Sequence, residues 1–141
     1  MNALTLSTAL AVAQGTLEEA RKLELPPTTV AVLDARGVLR ACLVEDGSSL
    51  MRPDIAAAKA WGALGMGRPT RDLAGLAEFN PPLVSGFVAI SQGRMLPAAG
   101  GVLFGVDGAL LGAVGVSGAM PDQDEACAIA GLAAAGVQQH D

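Results

Sequence analysis

The sequence predicts a single α+β domain over residues 1–141, with helices packed on an antiparallel sheet. A chain of 141 residues has room for one ordinary domain. Hydrophobic residues make up 51% of the chain and charged residues 16%, a balance typical of a folded protein that excludes a disordered segment. The predicted strands are joined by hairpins instead of crossover helices, which favours antiparallel pairing.

The first half predicts a helix, a hairpin and a second helix. Apolar residues recur at steps of three and four over residues 6–23, with charged residues between them, so this stretch predicts an amphipathic helix. Residues 28–33 and 38–44 are apolar runs joined by a short turn, and they predict a β-hairpin. Pro53 fits the first turn of an alanine-rich helix that continues to about Met66.

The second half predicts a short helix, three strands and a final helix. The short helix covers residues 73–79, with Thr70 and Asp72 as its capping residues, and the prolines that follow Asn80 close it. The three predicted strands are residues 87–91, 101–106 and 109–117. Asp107-Gly108 favours a tight hairpin between the last two. A final helix begins near Pro121, and the last few residues are expected to fray.

The hydrophobic residues of this chain are mostly small. There are 27 alanines and 18 glycines, whereas aromatic residues are 3% of the chain and tyrosine is absent. Small side chains bury little area each, and hydrophobic stabilisation is about 25 cal/mol per Å² of buried apolar surface. A thin core is stabilised by burial against another subunit, so we expect a homo-oligomer.

Charge and cysteine content narrow the class of protein further. The formal net charge is −5 and no basic run occurs, which excludes nucleic acid as an expected partner. Cys42 and Cys127 are far apart, form no CxxC pair and are expected to be reduced. Neither an export signal nor a membrane span is recognisable, so a cytoplasmic protein without membrane contact is expected.

Glycines and a serine near the end of the last predicted strand resemble two known motifs without matching either. Gly112, Gly115 and Gly118 do not fit GxGxxG or GxxxxGK[ST], so we interpret them as positions of close backbone approach. Ser117 stands in a near match to the GxSxG nucleophile elbow. A catalytic triad needs a histidine base, and the only histidine is His140, so Ser117 is interpreted as a turn or capping residue.

The acidic residues Asp122, Asp124 and Glu125 lie at the start of the final predicted helix. Carboxylates there offset the partial positive charge of the helix N-terminus, and oxygen ligands for a divalent metal are the alternative. Capping is the favoured interpretation and no metal site is predicted. One of these carboxylates is still free to face a pocket at a subunit interface.

Lys59 is one of only two lysines and stands mid-helix among alanines. Such a lysine either extends to solvent along its own stem or is buried with a carboxylate partner such as Asp54 or Asp34. The helix pattern alone favours the solvent-facing side chain. Burial would suit Lys59 to binding an anionic group or to acid–base chemistry.

Six stretches taken together resemble the GlcG/HbpS family, which includes haem-binding proteins and the C-terminal domain of PduO-type corrinoid adenosyltransferases. They are VAVLD at 30–34, DIAAAKA at 54–60, GRPT at 67–70, PAAGGV at 97–102, GAVGVSG at 112–118 and DQDE at 122–125. Their order and spacing cover nearly the whole chain. The resemblance implies a profilin-like domain with a five-stranded antiparallel sheet flanked by helices, assembling into dimers and often octamers.

The resemblance also implies a ligand pocket where the lysine, the paired glycines and the serine–glycine junction converge. In this chain those positions are Lys59, Gly100, Gly101, Ser117 and Gly118. A small anionic metabolite is the expected ligand, for which Arg52 and Arg94 supply further cations and the backbone N–H groups supply donors.

The sequence does not identify a cofactor. Some members of the family bind haem, and a histidine ligand is implied for certain of them, but this chain offers only His140. Ligation through Met51, Met66, Met95 or Cys42 is the alternative. A haem or corrinoid-like cofactor thus stays among the expected ligands beside a small anion.

The leading hypothesis is a cytoplasmic, homo-oligomeric ligand-binding or accessory protein with its pocket at Lys59. The alternative is a small isomerase, tautomerase or hydrolase acting on an organic acid. In that case Lys59, Asp54 and Glu125, with Asp34 as a further candidate carboxylate, would act as general acid and base. A structural or regulatory protein without a small ligand is the third hypothesis.

Overall fold

A computed structural model describes residues 3–140 of the chain. Its elements are α1 (Leu6–Lys22), β1 (Thr29–Asp34), β2 (Leu39–Val44), α2 (Arg52–Met66), α3 (Thr70–Phe79), α4 (Pro81–Ile90), β3 (Gly101–Val106), β4 (Ala109–Ser117), α5 (Pro121–Ala134) and β5 (Gln138–Gln139). The five strands form one antiparallel sheet in the order β2-β1-β4-β3-β5. The predicted α+β class with a five-stranded antiparallel sheet is confirmed.

Helices cover both faces of the sheet. On one face, α1 and α5 bury the main hydrophobic core, which includes Val32, Phe104 and Val114 of the central strands. On the other face, α2 packs Ala60 and Ala63 against the sheet. No helix within residues 3–140 is both long and apolar enough to cross a membrane.

Glycines let α2 lie directly on the sheet backbone. A Cβ at Gly115 of β4 would collide with the carbonyl oxygen of Ala56, and one at Gly101 of β3 would collide with that of Lys59. Only glycine permits so close an approach of helix and strand. The interpretation of Gly115 as a position of close packing agrees with this geometry.

The predicted strand at residues 87–91 is wrong, because this stretch is the second half of α4. Pro81 and Pro82 occupy the first turn of the helix, and the Asn80 side chain accepts a hydrogen bond from the Leu83 N–H at 3.3 Å. Proline fits the first turn of a helix because the N–H that it lacks has no helical partner there. Asn80 ends α3 and begins α4.

The fifth strand lies where the sequence predicted fraying. Gln138 and Gln139 pair with Gly105 and Phe104 of β3, and the His140 N–H donates to the Leu103 carbonyl at 3.0 Å. The predicted number of strands is therefore right, but one of them comes from the C-terminal segment. The hairpin at Asp107-Gly108 is confirmed, with both residues at positive φ, 52° and 80°.

Candidate functional site

Lys59 is buried beneath the end of β4 and forms an ion pair with Asp124. Its ammonium donates to Asp124 Oδ2 and to the Val116 carbonyl, each at 2.9 Å. The exposed fraction is 3% for Lys59 and 2% for Asp124. The expectation of a solvent-facing Lys59 is wrong, and so is its pairing with Asp54 or Asp34.

The path of α2 explains why Lys59 is buried. Contact of the Ala56 carbonyl with Gly115 holds α2 flat on β4, and the next turn of the helix directs Lys59 towards the end of that strand. There the first turn of α5 presents Asp124. Its second oxygen accepts the Ala119 N–H at 2.9 Å, so both carboxylate oxygens are occupied. Burial raises the pKa of Asp124, although the Lys59 ammonium and the Ala119 N–H oppose the shift.

Gly100 and Gly101 close over the Lys59 side chain. Gly100 has a φ of +127°, and a Cβ there would lie 2.9 Å from both Cδ and Nζ of Lys59. The Gly101 N–H, a predicted ligand donor, instead donates to Thr70 Oγ1 at 2.8 Å. The Gly100 carbonyl accepts the Val116 N–H at 3.0 Å. Gly100 thus packs against the Lys59 side chain, and Gly101 against the Lys59 backbone.

Arg52 lies beside this pair and has no carboxylate partner. Its Nη1 donates to Ser117 Oγ at 3.0 Å, and within residues 3–140 no carboxylate lies within 4.0 Å of its guanidinium. Ser117 is fully buried, and its hydroxyl accepts from a cation instead of donating to a base. Arg52 is half-buried, so it is the cation of this cluster that solvent reaches.

Exposed apolar residues are neighbours of Arg52 and Ser117 in sequence. Leu50 is 94% exposed and Met51 63%, and both directly precede Arg52. Met120, 67% exposed, follows Ser117 by three positions. A solvent-accessible guanidinium without an ion-pair partner in residues 3–140 suits a carboxylate ligand.

Gly118 lies at the other side of Ser117, where the chain passes the start of β1. A Cβ at Gly118 would be 2.7 Å from the Pro27 carbonyl oxygen, so the position requires a close backbone approach. Its predicted role as a binding residue stays a prediction.

Within residues 3–140, none of the remaining candidate residues forms a hydrogen bond or an ion pair with Lys59. Glu125 is paired with Arg71 Nη2 at 2.7 Å. Asp54 is exposed and, with Arg94, lines a hollow between α2 and the β1–β2 hairpin. Asp34 holds the β1–β2 turn by accepting the Arg36 and Val38 N–H groups at 2.9 and 3.1 Å. Burial of Asp34 acts to raise its pKa, but these N–H groups and the Arg36 side chain outweigh burial and lower it.

Two contacts of the site were absent from the sequence analysis. Thr70 begins α3 and fixes Gly101, and Arg71 follows it and holds Glu125. The GRPT stretch ends at Thr70, and the PAAGGV and DQDE stretches contain Gly101 and Glu125. All three stretches belong to the set that resembles the GlcG/HbpS family, and that was the sequence signal for these contacts. It did not indicate which residues would pair with each other.

Known proteins match most of this chain. A family model described as haem degrading protein HbpS-like matches residues 4–133. Corrinoid adenosyltransferase PduO of Salmonella typhimurium is 30% identical over 124 residues, which are 88% of this chain and 36% of that protein. PduO of Citrobacter freundii is 29% identical over 114 residues, 81% of this chain and 34% of that protein. The chain spans about a third of the length of these relatives.

Solved structures show the same fold. The crystal structure of a PduOC:heme complex superposes with a TM-score of 0.88 at 28% identity, covering 99% of both chains. A double mutant of Streptomyces reticuli HbpS gives a TM-score of 0.80 at 32% identity, covering 94% of this chain and 87% of that one.

Proposed function

Because this chain belongs to the HbpS-like family, we propose that it is a ligand-binding accessory protein whose ligand is a small organic anion. The ligand binds at the cluster of Arg52, Ser117, Lys59 and Asp124. The observation that carries the proposal is the Arg52 guanidinium, which is half-buried, donates to Ser117 and has no carboxylate partner within residues 3–140. A carboxylate bound there would form charge-assisted hydrogen bonds with N–H groups that no ion pair occupies.

Lys59 supports this site by positioning its backbone. Asp124 neutralises its charge, and both groups are enclosed, so the pair offers little net attraction to an anion. Its role in the proposal is to fix Val116, which precedes Ser117, and the start of α5. Lys59 is therefore a positioning residue and Arg52 contacts the ligand.

Haem is the second candidate ligand, and the similarity to the PduOC:heme complex favours it. Haem iron takes histidine, cysteine, methionine or tyrosine as an axial ligand. His140 lies at the sheet edge beside β5, apart from Arg52, and burial raises the pKa of both Cys42 and Cys127, which disfavours their thiolates. The thioether nearest to Arg52 in sequence is that of Met51, which directly precedes it and is 63% exposed. These donors do not fit a strongly ligated haem at this cluster, so a small anion is proposed ahead of it.

An enzyme is the alternative, and the partners of its candidate acid–base groups weigh against it. Lys59 is bound to Asp124 and Glu125 to Arg71, while Asp54 lines a separate hollow between α2 and the β1–β2 hairpin. Proton transfer by either of the first two would require its ion pair to open. Glu125 and Asp54 would be functional residues only in this enzyme alternative, and neither belongs to the proposed ligand-binding cluster.

Self-association is part of the proposal, as a dimer or a higher assembly up to an octamer. No charged residue occurs over residues 79–93, which include all of α4. Phe79 and Ile90 are 82% and 81% exposed, and Leu83 is 43% exposed. We call these three residues, the last residue of α3 and two of α4, the α4 stripe. Two copies of an uncharged stripe can meet without like-charge repulsion, which suits an isologous contact.

A cytoplasmic location is proposed too, supported by two free thiols.

A thermal-shift screen of small carboxylates tests the ligand. A ligand that binds only the folded state raises the melting temperature in proportion to the logarithm of its concentration. The stabilisation should be lost in Arg52→Gln and kept in Arg68→Gln, a matched control whose guanidinium already pairs with Asp72. Equal stabilisation of the wild type and Arg52→Gln would contradict the proposal.

Two further readouts separate the other candidates. A shifted Soret band on titration with haem, without any effect of carboxylates, would replace the anion by haem. Consumption of a carboxylate that depends on Lys59 and Glu125 would identify an enzyme.

A further inference from the structure

A second arginine, Arg94, has no carboxylate partner within residues 3–140 and is held over the single tryptophan of the chain. The guanidinium carbon of Arg94 lies 4.3 Å from the centroid of the Trp61 ring, and Nε donates to the Ser91 carbonyl at 2.8 Å. Gln92 and Gly93, both at positive φ, turn the chain between α4 and Arg94. The side chain is thus fixed at two points, while its terminal nitrogens form no hydrogen bond within residues 3–140.

An apolar cavity of ≈ 230 Å³ opens beside this stacked pair. Gly65 lies against the edge of the indole ring. The other walls are aromatic, aliphatic and thioether side chains: Trp61, Met66, Phe87, Ile90 and Met95. Pockets for drug-sized ligands begin at about 300 Å³. The cavity therefore suits a body of one ring and is too small to enclose a tetrapyrrole.

The lining of a neighbouring hollow indicates from which side an anion would bind Arg94. This hollow also borders Trp61 and Arg94, but Asp54 lies in its lining. A carboxylate in it would be repelled by Asp54, whereas the cavity of ≈ 230 Å³ has no acidic residue in its lining.

We propose that the cavity between Trp61, Phe87 and Arg94 is a second ligand site, for a monocarboxylate with an apolar body of about one ring. The body packs against the apolar walls, and the carboxylate accepts hydrogen bonds from the terminal nitrogens of Arg94. The site is separate from Arg52 and does not depend on the proposal made for that cluster.

Titration with benzoate, followed by NMR of the indole N–H, tests this site. The chain has one tryptophan, so a single resonance reports on Trp61. We expect a saturable shift at millimolar benzoate and no saturable shift with benzyl alcohol, which has the ring without the charge. Arg94→Gln should weaken benzoate binding at least about tenfold, because it removes a charge-assisted pair.

Arg68→Gln is the matched control, since it removes an exposed, ion-paired guanidinium outside the cavity lining. Its affinity for benzoate should equal that of the wild type. The position of the unliganded Trp61 resonance in Arg94→Gln shows whether the ring has moved, and Arg94→Lys, which keeps the charge, should retain part of the affinity. Absence of a saturable shift, equal binding of benzyl alcohol, or unchanged affinity in Arg94→Gln would each overturn the proposal.

Discussion

Lys59 Nζ and Asp124 Oδ2 lie 2.9 Å apart, 65 positions distant in sequence, and join α2 to the first turn of α5 with both side chains buried. Two further polar groups complete the pair: the Val116 carbonyl, which accepts from Lys59, and the Ala119 N–H, which donates to Asp124. A buried ion pair of this kind contributes less through its own attraction than it costs when one partner is removed.

Lys59→Met should destabilise the fold by about 3–5 kcal/mol, because it leaves the Asp124 carboxylate buried without a counter-ion. Adding Asp124→Leu should recover much of that loss, since an apolar pair can replace a buried ion pair. Urea denaturation measures both. Arg68→Met, which breaks an exposed pair with Asp72, is the control and should cost about 0.5 kcal/mol or less. A Lys59→Met variant as stable as Arg68→Met would contradict this account.

Gly115→Ala should destabilise the protein by about 2–3 kcal/mol or more, since the added methyl group collides with the Ala56 carbonyl and forces α2 off the sheet. Gly86→Ala adds the same methyl group within α4, where no atom lies within 4 Å. It should stabilise by about 0.5–1 kcal/mol through helix propensity. Thermal unfolding of the two variants should therefore shift in opposite directions. Similar losses in both would disprove the contact.

Cys127 should make stability depend on pH in the alkaline range. Burial, with a contribution from the Asp124 carboxylate, raises the pKa of Cys127 from 9.0 to about 11. The unfolded chain therefore loses the thiol proton first. The resulting stabilisation is complete below pH 9 and is lost as pH rises towards 11. Urea titrations should show a shallower decline in Cys127→Ala than in the wild type, and identical slopes would refute the assignment.

Leu83→Glu should shift the protein towards a smaller species in size-exclusion chromatography with light scattering. The variant places a carboxylate on the α4 stripe, so two copies that meet there would repel each other. Leu6→Glu changes an exposed leucine on α1, 54% exposed against 43% for Leu83, and should leave the assembly unaltered. If both variants keep the mass of the wild type, α4 is not the contact between copies.

Local sequence patterns predicted most of the fold but failed at two segments. The run at residues 87–91 is apolar and short, and such runs do not distinguish a strand from a buried helix. The correct signal was the pair of prolines after Asn80, which begins a helix as readily as it ends one. Gln138 and Gln139 have no apolar alternation, and their strand exists only because the edge of β3 is there to pair with.

The site was predicted in part for a similar reason. The family-like stretches placed Lys59, the paired glycines and Ser117 together, and the structure brings them together. The partner of Lys59 could not be predicted from its helix, because it depends on how α2 crosses β4 and where α5 begins. Arg94 was expected at the same pocket but follows a left-handed turn that carries it to Trp61.

The close contact of α2 with the sheet also determines which part of the molecule is able to move. A helix whose carbonyls rest against strand glycines cannot slide without a clash, so α2 and the sheet behave as one rigid body. The α3–α4 segment is joined to that body through Leu73, Val84 and Met95 and is flanked by Gly67 and Gly93, both in the left-handed region. A molecule entering beside Trp61 thus meets one fixed wall and one adjustable wall. Faster amide exchange in α3 and α4 than in α2, slowed when that molecule binds, is the signature of this arrangement.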